Sequence, residues 1–218
     1  MSEAFYISDL IHENHDPFAM IGVSNITDLQ GWNSESKVFE RLIFETQASR
    51  ICEIGTWKGA SAIHMARLLK AISHEHTDEI VCVDTFLGSL EMWTDKEKRD
   101  LMQFKSGRAG IYETFLQNIM NTGFDNIITP FPTTSSIAAK FFRHHHVRFD
   151  LIYIDASHET KDVFADICDY ENLAPVIFGD DYDWPSVRAA VDSFHNQRLR
   201  EFDLEISNEK WILRRKPS

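Results

Sequence analysis

Apolar residues follow two rhythms along this chain. Short, nearly continuous apolar runs occupy residues 50–54, 79–84, 127–131, 150–155 and 176–180. Between them lie stretches in which apolar positions recur every three or four residues, as at Ile63, Ala66, Leu69 and Ile72. The first rhythm predicts strands covered on both faces, and the second predicts helices that bury one stripe. The helices are expected over 36–48, 60–72, 112–121, 137–142, 160–171 and 185–197. Ser34 or Ser36 can cap the first of these and Asp183 the last, where Pro185 suits a first helical turn. Two final strands, 202–206 and 211–214, follow each other with no helix between them.

Alternating strands and helices imply right-handed crossovers and a parallel sheet, and the closing strand pair implies an antiparallel edge. The expected fold is α/β: a Rossmann-like, mostly parallel seven-stranded sheet, antiparallel at its C-terminal edge, with helices on both faces. Residues 1–35 lack a period and read as an irregular N-terminal arm or lid with room for one short helix. Residues 36–218 then form a single domain. Residues 85–94 read as a loop and 95–108 as a charged, mobile helix.

In such a sheet, ligands lie beyond the carboxyl ends of the strands, where the strand order reverses. Gly55, Asp84, Ser135, Asp155 and Asp180 all fall at or just beyond those ends. The turn over 55–59 leads straight into a helix, whose N-terminus offers free N–H groups, and Gly55 and Gly59 would let a ligand approach the backbone. A plain strand-to-helix turn would need the same glycines. Asp84 can accept both hydrogen bonds of a ribose diol. The turn lacks the GxGxxG pattern of dinucleotide sites, and Glu53 precedes its first glycine. A carboxylate there suits an ammonium better than a pyrophosphate. That charge argument favours S-adenosylmethionine (SAM), which has an ammonium, a sulfonium and no phosphate, over a nicotinamide dinucleotide.

Asp155, Asp180 and Asp181 are expected side by side, where three carboxylates repel unless a cation or protons intervene. Oxygen ligands suit Mg²⁺ or another hard divalent cation. The plainer reading makes Asp180 and Asp181 turn acids. His158, three residues beyond Asp155, is placed to act as a general base. The consecutive His144, His145 and His146 read as a solvated helix end, and His74 and His76 as part of a polar loop.

Glu53-Ile-Gly-Thr-Trp-Lys-Gly-Ala-Ser61, the segment from Val83 to Trp93, Asp150-Leu-Ile-Tyr-Ile-Asp-Ala-Ser-His-Glu159 and the segment from Phe178 to Val187 together resemble class I SAM-dependent methyltransferases. The resemblance is to the branch of the macrocin-type sugar O-methyltransferases and covers residues 32 to 195. It implies a SAM site drawn from Glu53, Gly55, Thr56, Gly59, Ser61 and Asp84, with Glu53 near the methionine end and Asp84 on the ribose. It puts the adenine beside Thr134 and Ser135, and a divalent metal on Asp155, Asp180 and Asp181. Some members carry an Asp as the base two positions after the first ligand. Here that residue is Ser157, which shifts the expected base to His158, beside Asp155. The turn before the fifth strand, over 173–176, is also shorter than in the family.

The function expected is therefore O-methylation of a small hydroxylated acceptor, a sugar or natural product. Trp32, Trp93 and Trp184 are candidate walls of the acceptor pocket, although core packing would explain them equally. The alternatives are a catalytically silent SAM-binding protein, a nicotinamide-dependent oxidoreductase and a hydroxylase-type relative with a redox metal. The net charge of −12, from 22 basic and 34 acidic residues, argues against nucleic-acid or anionic-membrane partners. Cys52, Cys82 and Cys168 form no CxxC pair and read as core residues of a reducing compartment. With no secretory leader or membrane-length apolar run visible, cytoplasm is the expected location. Oligomeric state stays open, a homodimer included.

Overall fold

In the computed structural model, described for residues 6–22, 24, 26–72 and 78–217, one seven-stranded sheet carries the fold. His74 and His76 lie outside the described residues. The strands are β1 (Arg50–Ile54), β2 (Glu79–Asp84), β3 (Ile128–Pro132), β4 (Leu151–Ile154), β5 (Val176–Gly179), β6 (Phe202–Ser207) and β7 (Lys210–Arg215). Their order across the sheet is β3-β2-β1-β4-β5-β7-β6. The first five run parallel, and β7 pairs antiparallel with both β5 and β6. The expected Rossmann-like α/β sheet with its antiparallel edge is thus the observed one.

The helices are α1 (Ile7–His12), α2 (Lys37–Thr46), α3 (Ala60–Ile72), α4 (Leu90–Thr94), α5 (Lys96–Leu101), α6 (Ile111–Thr122), α7 (Ser135–His144), α8 (Thr160–Tyr170) and α9 (Pro185–Gln197). Alternate residues of each strand face opposite sides of a sheet, and two separate apolar clusters form accordingly. Ile51, Cys82, Leu151, Tyr153, Phe178 and Ile212 pack under α2, α3 and α6. Cys52, Val81, Val83, Ile152, Ile154 and Ile177 pack under α1, α7, α8 and α9.

Several local expectations hold and others shift. Ser36 caps α2, its side chain accepting from the Val38 N–H. Trp184, not Asp183, stands at the N-cap of α9, with no side-chain cap. Residues 90–101 form two short helices, because Asp95 ends α4 in an extended conformation and caps α5 by accepting from Glu97 and Lys98. α7 is longer than its apolar stripe, since Thr134 caps it and adds a polar first turn. Cys52 and Cys82 are buried, Cys168 half-buried, and all three are free thiols.

The N-terminal arm is tied down at both ends. Ile7 and Ser8 donate backbone N–H groups to the buried Glu79 carboxylate. Further on, Asp28 exchanges two hydrogen bonds with the buried Asn118 and pairs with Lys58 at 2.7 Å. Among the described residues, no helix is long and apolar enough to cross a membrane.

The switch in strand order falls between β1 and β4. There Gly55 has φ +81°, and a Cβ on it would stand 2.2 Å from the Asp155 carbonyl oxygen. A side chain would meet both a left-handed backbone and a rigid strand end. Gly55→Ala is therefore expected to destabilise the protein by about 3 kcal/mol or more, read as a lowered urea midpoint.

Candidate functional site

Strand register assembles the site. Cys82 pairs with Glu53, Glu53 with Tyr153, Tyr153 with Phe178 and Phe178 with Ile212. These residues share one face of the sheet. Two positions further toward its carboxyl edge, the same face meets Asp84, Gly55, Asp155 and Asp180, and Lys210 from the antiparallel β7. One row thus holds three of the predicted site acids and a lysine that sequence reasoning passed over.

Glu53 is the first departure from expectation. It is fully buried and does not open into the crevice. Its carboxylate accepts from the hydroxyls of Thr56, at 2.8 Å, and Ser61, with the Cys82 thiol at 3.5 Å. Burial, then the neighbouring Asp155 charge, raises its pKa to about 7 against those hydrogen bonds. It braces the glycine turn through Thr56 and Ser61; in this structure it does not face a ligand's ammonium. Asp84 also grips the turn. Its Oδ2 accepts the N–H groups of Thr56 and Trp57 at 3.0 Å each, and its Oδ1 that of Phe86 at 2.7 Å. The first two bonds fill Oδ2, so only Oδ1 keeps a lone pair for a ribose hydroxyl, fewer than the two expected of Asp84 from sequence.

The two glycines are explained by the chain itself. Gly55 admits the Asp155 carbonyl, and Gly59, at φ +85°, admits the ring of Phe115, which a Cβ would meet at 2.9 Å. The N-terminal arm crosses this turn: Trp57 Nε1 donates to Gln30, and the rings of Trp32 and Trp57 lie 6.1 Å apart. Thr134 caps α7, while the Ser135 hydroxyl donates to Asp166 and the Ser135 carbonyl accepts from Tyr170.

The acids beyond β4 and β5 do not meet as a trio. Asp155, His158 and Asp181 bring ligand atoms within 4.8 Å of one another. His158 Nε2 lies 3.0 Å from Asp181 Oδ2, and its ring lies 4.7 Å from that of Trp184. Asp180 is not in that group: its Oδ2 pairs with the buried Lys210 at 2.8 Å. Asp181 has a left-handed backbone, at φ +60°. Tyr153 donates to Asp155 Oδ2 at 2.9 Å. Burial and the Asp180 charge push Asp155 up to about 6. The hydrogen bond to Asp181 raises His158 above the usual histidine value, against burial.

These shifts mark a site short of positive charge, with the buried Lys210 and Lys58 already engaged by Asp180 and Asp28. Its chemistry fits a cationic, phosphate-free cofactor. The oxygens of Asp155 and Asp181, with the His158 nitrogen, also form a donor set that fits a divalent cation. Trp32, Trp93 and Trp184 are partly exposed and are not core residues. A cavity of about 730 Å³ lies between the arm and the β6–β7 turn, lined by Gly31, Asn33, Ser34, Ala60, Glu209 and Lys210 among others. His144 ends α7, His145 is its C-cap, and all three consecutive histidines are exposed.

Residues 52–182, more than half of the chain, match the model of a family described as a methyltransferase domain. The chain belongs to that methyltransferase family. No curated protein matches it. Among solved structures it resembles the O-methyltransferase of Bacillus cereus in complex with SAH, at 18% identity and a TM-score of 0.55 over 87% of this chain and 83% of that one. It also resembles the O-methyltransferase NovP, at 17% identity and a TM-score of 0.59 over 83% of this chain and 78% of that one. TomG from Streptomyces achromogenes, an O-methyltransferase of tomaymycin synthesis solved with SAM, is 17% identical with a TM-score of 0.56, over 87% and 83%. At these identities the likeness establishes the fold.

Glu53 has a readable consequence. A buried acid whose pKa is raised on folding binds more protons in the folded state, so its contribution to stability falls as pH rises from its ordinary value of 4.5 to about 7. Glutamine cannot ionise. The stability of the wild type relative to Glu53→Gln should therefore fall between about pH 4.5 and pH 7 and level off above that, measured by urea unfolding of both proteins across that range.

Proposed function

We propose that the protein methylates a hydroxyl of a small, sugar-like or natural-product acceptor, with a divalent cation such as Mg²⁺ assisting. The observation that carries this reading is the grouping of Asp155, His158 and Asp181 beside the Gly55 turn. The resemblance to O-methyltransferases supports it.

SAM would be held over Gly55, with Asp84 toward its ribose and Thr134 and Ser135 toward its adenine, and when bound would supply an electrophilic methyl group. Asp155 and Asp181 would hold a divalent cation, which would lower the pKa of the acceptor hydroxyl. The remaining work belongs to the side chains. With its Nε2–H donated to Asp181, His158 has Nδ1 free to take the hydroxyl proton. The Asp181 charge stabilises the imidazolium that results, as a carboxylate orients and supports a histidine base elsewhere. The Trp184 ring, tilted 42° to the imidazole, packs against it. Tyr153 occupies Oδ2 of Asp155 and leaves Oδ1 for the cation. Trp57, Gln30 and Trp32 close the arm over the glycine turn and exclude water from its backbone.

Calorimetric titration with S-adenosylhomocysteine, without and with Mg²⁺, tests the cofactor. Binding is expected in both cases, and no heat in either removes the reading. Asp181→Ala should abolish methyl transfer to any acceptor the wild type accepts while leaving SAM affinity within about threefold, because the acid serves the acceptor side. Joint loss of both would make Asp181 a structural residue.

A further inference from the structure

Lys210 begins β7 at the hairpin that follows β6, yet its side chain is 1% exposed. Its Nζ lies 2.8 Å from Asp180 Oδ2 and 3.2 Å from the Tyr153 hydroxyl. It also lies 5.0 Å from the ring centroids of Phe39 and Tyr153. Tyr153 in turn donates to Asp155 Oδ2. A directed chain results: the ammonium donates to the phenol oxygen, and the phenol proton goes to Asp155. Asp180 is clamped from a second side, since Trp211 Nε1 donates to its carbonyl at 3.1 Å. That approach requires Gly179, where a Cβ would stand 2.3 Å from the Trp211 ring. The other oxygen of Asp180, Oδ1, is buried without a hydrogen-bond partner among the described residues.

We propose that Lys210 is a positioning residue: a fixed monovalent cation that withdraws Asp180 from the metal-binding set and, through Tyr153, presents Asp155. Of the three acids, only Asp155 and Asp181 then hold the divalent cation. The physical reason is simple repulsion. A dication on Asp180 would sit against a desolvated ammonium, with little water to screen the two charges. Asp180 already has its counter-ion, whereas Asp181 pairs with His158 beside Asp155. The inference rests on the metal reading above and changes which residues carry it.

Mn²⁺ binding by the full chain, followed by loss of the free-ion EPR signal in the presence of S-adenosylhomocysteine, tests it. Asp180→Asn should change the Kd by less than about threefold, whereas Asp181→Asn should weaken it by about tenfold or more. In a Lys210→Met background Asp180 is released to the ion, and Asp180→Asn should then cost about tenfold. The proposal is overturned if Asp180→Asn in the wild-type background costs as much as Asp181→Asn, with both variants folded by circular dichroism. Should Lys210→Met fail to fold, that wild-type comparison decides alone. A wild type that binds no Mn²⁺ brings down the metal reading and this proposal together. Binding that Asp180→Asn destroys sinks this proposal and leaves the metal reading standing.

Discussion

A backbone contact less than one side chain wide controls this structure. The Asp155 carbonyl occupies the space that a Cβ on Gly55 would fill. Strands β1 and β4 leave the sheet at that point in opposite crossovers, and their loops must pass at that distance for the crevice to form. The Asp155 N–H bonds the Ile54 carbonyl, and the Gly55 N–H bonds the Val83 carbonyl, so three strand ends are joined in one line. The period of two along each strand does the rest. Once Glu53, Tyr153 and Phe178 are in register, Asp155 and Asp180 have no choice of face.

Electrostatics then separates residues that strand position alone treats alike. Glu53, Asp84, Asp155 and Asp180 all come from the same face of the sheet, but their surroundings give each a different task. Hydroxyls surround Glu53, and it stiffens the turn from within. Three backbone N–H groups converge on Asp84, which clamps the same turn from outside. A phenol holds Asp155 by one oxygen, and an ammonium takes Asp180. Burying this much negative charge is costly, and the raised pKa of Asp155 and Glu53 shows how incompletely the chain's own cation offsets it. A cation beside Asp155 would offset part of that cost.

The arm couples to this centre by specific bonds. Lys58, in the glycine turn, is nearly fully buried because Asp28 reaches it from the arm, and Asn118 on α6 joins both segments through their backbones. The aromatic side chains once open to a core explanation stand at the rim. Trp184 lies against His158, and Trp93 against Phe104 on the segment before α6.

Much of this was legible in one dimension. Apolar runs alternating with helical stripes determined the sheet, its two covered faces and the antiparallel close, because burial on both sides of a parallel sheet leaves a periodic trace. Strand ends were legible as well, and with them Gly55, Asp84, Asp155 and His158. Partners were not. Nothing local marks Lys210 as buried, since a lysine after a hairpin turn is usually solvated, and its neighbour Asp180 lies 30 positions away in the chain. Glu53 read as a ligand acid because its local sequence could not reveal that Thr56 and Ser61 fold back onto it. Sequence determines which residues reach the edge of the sheet, for that depends on local period. Which of them face each other is decided only when distant strands pair, because hydrogen bonds and ion pairs act over a few ångströms of space and take no account of distance along the chain.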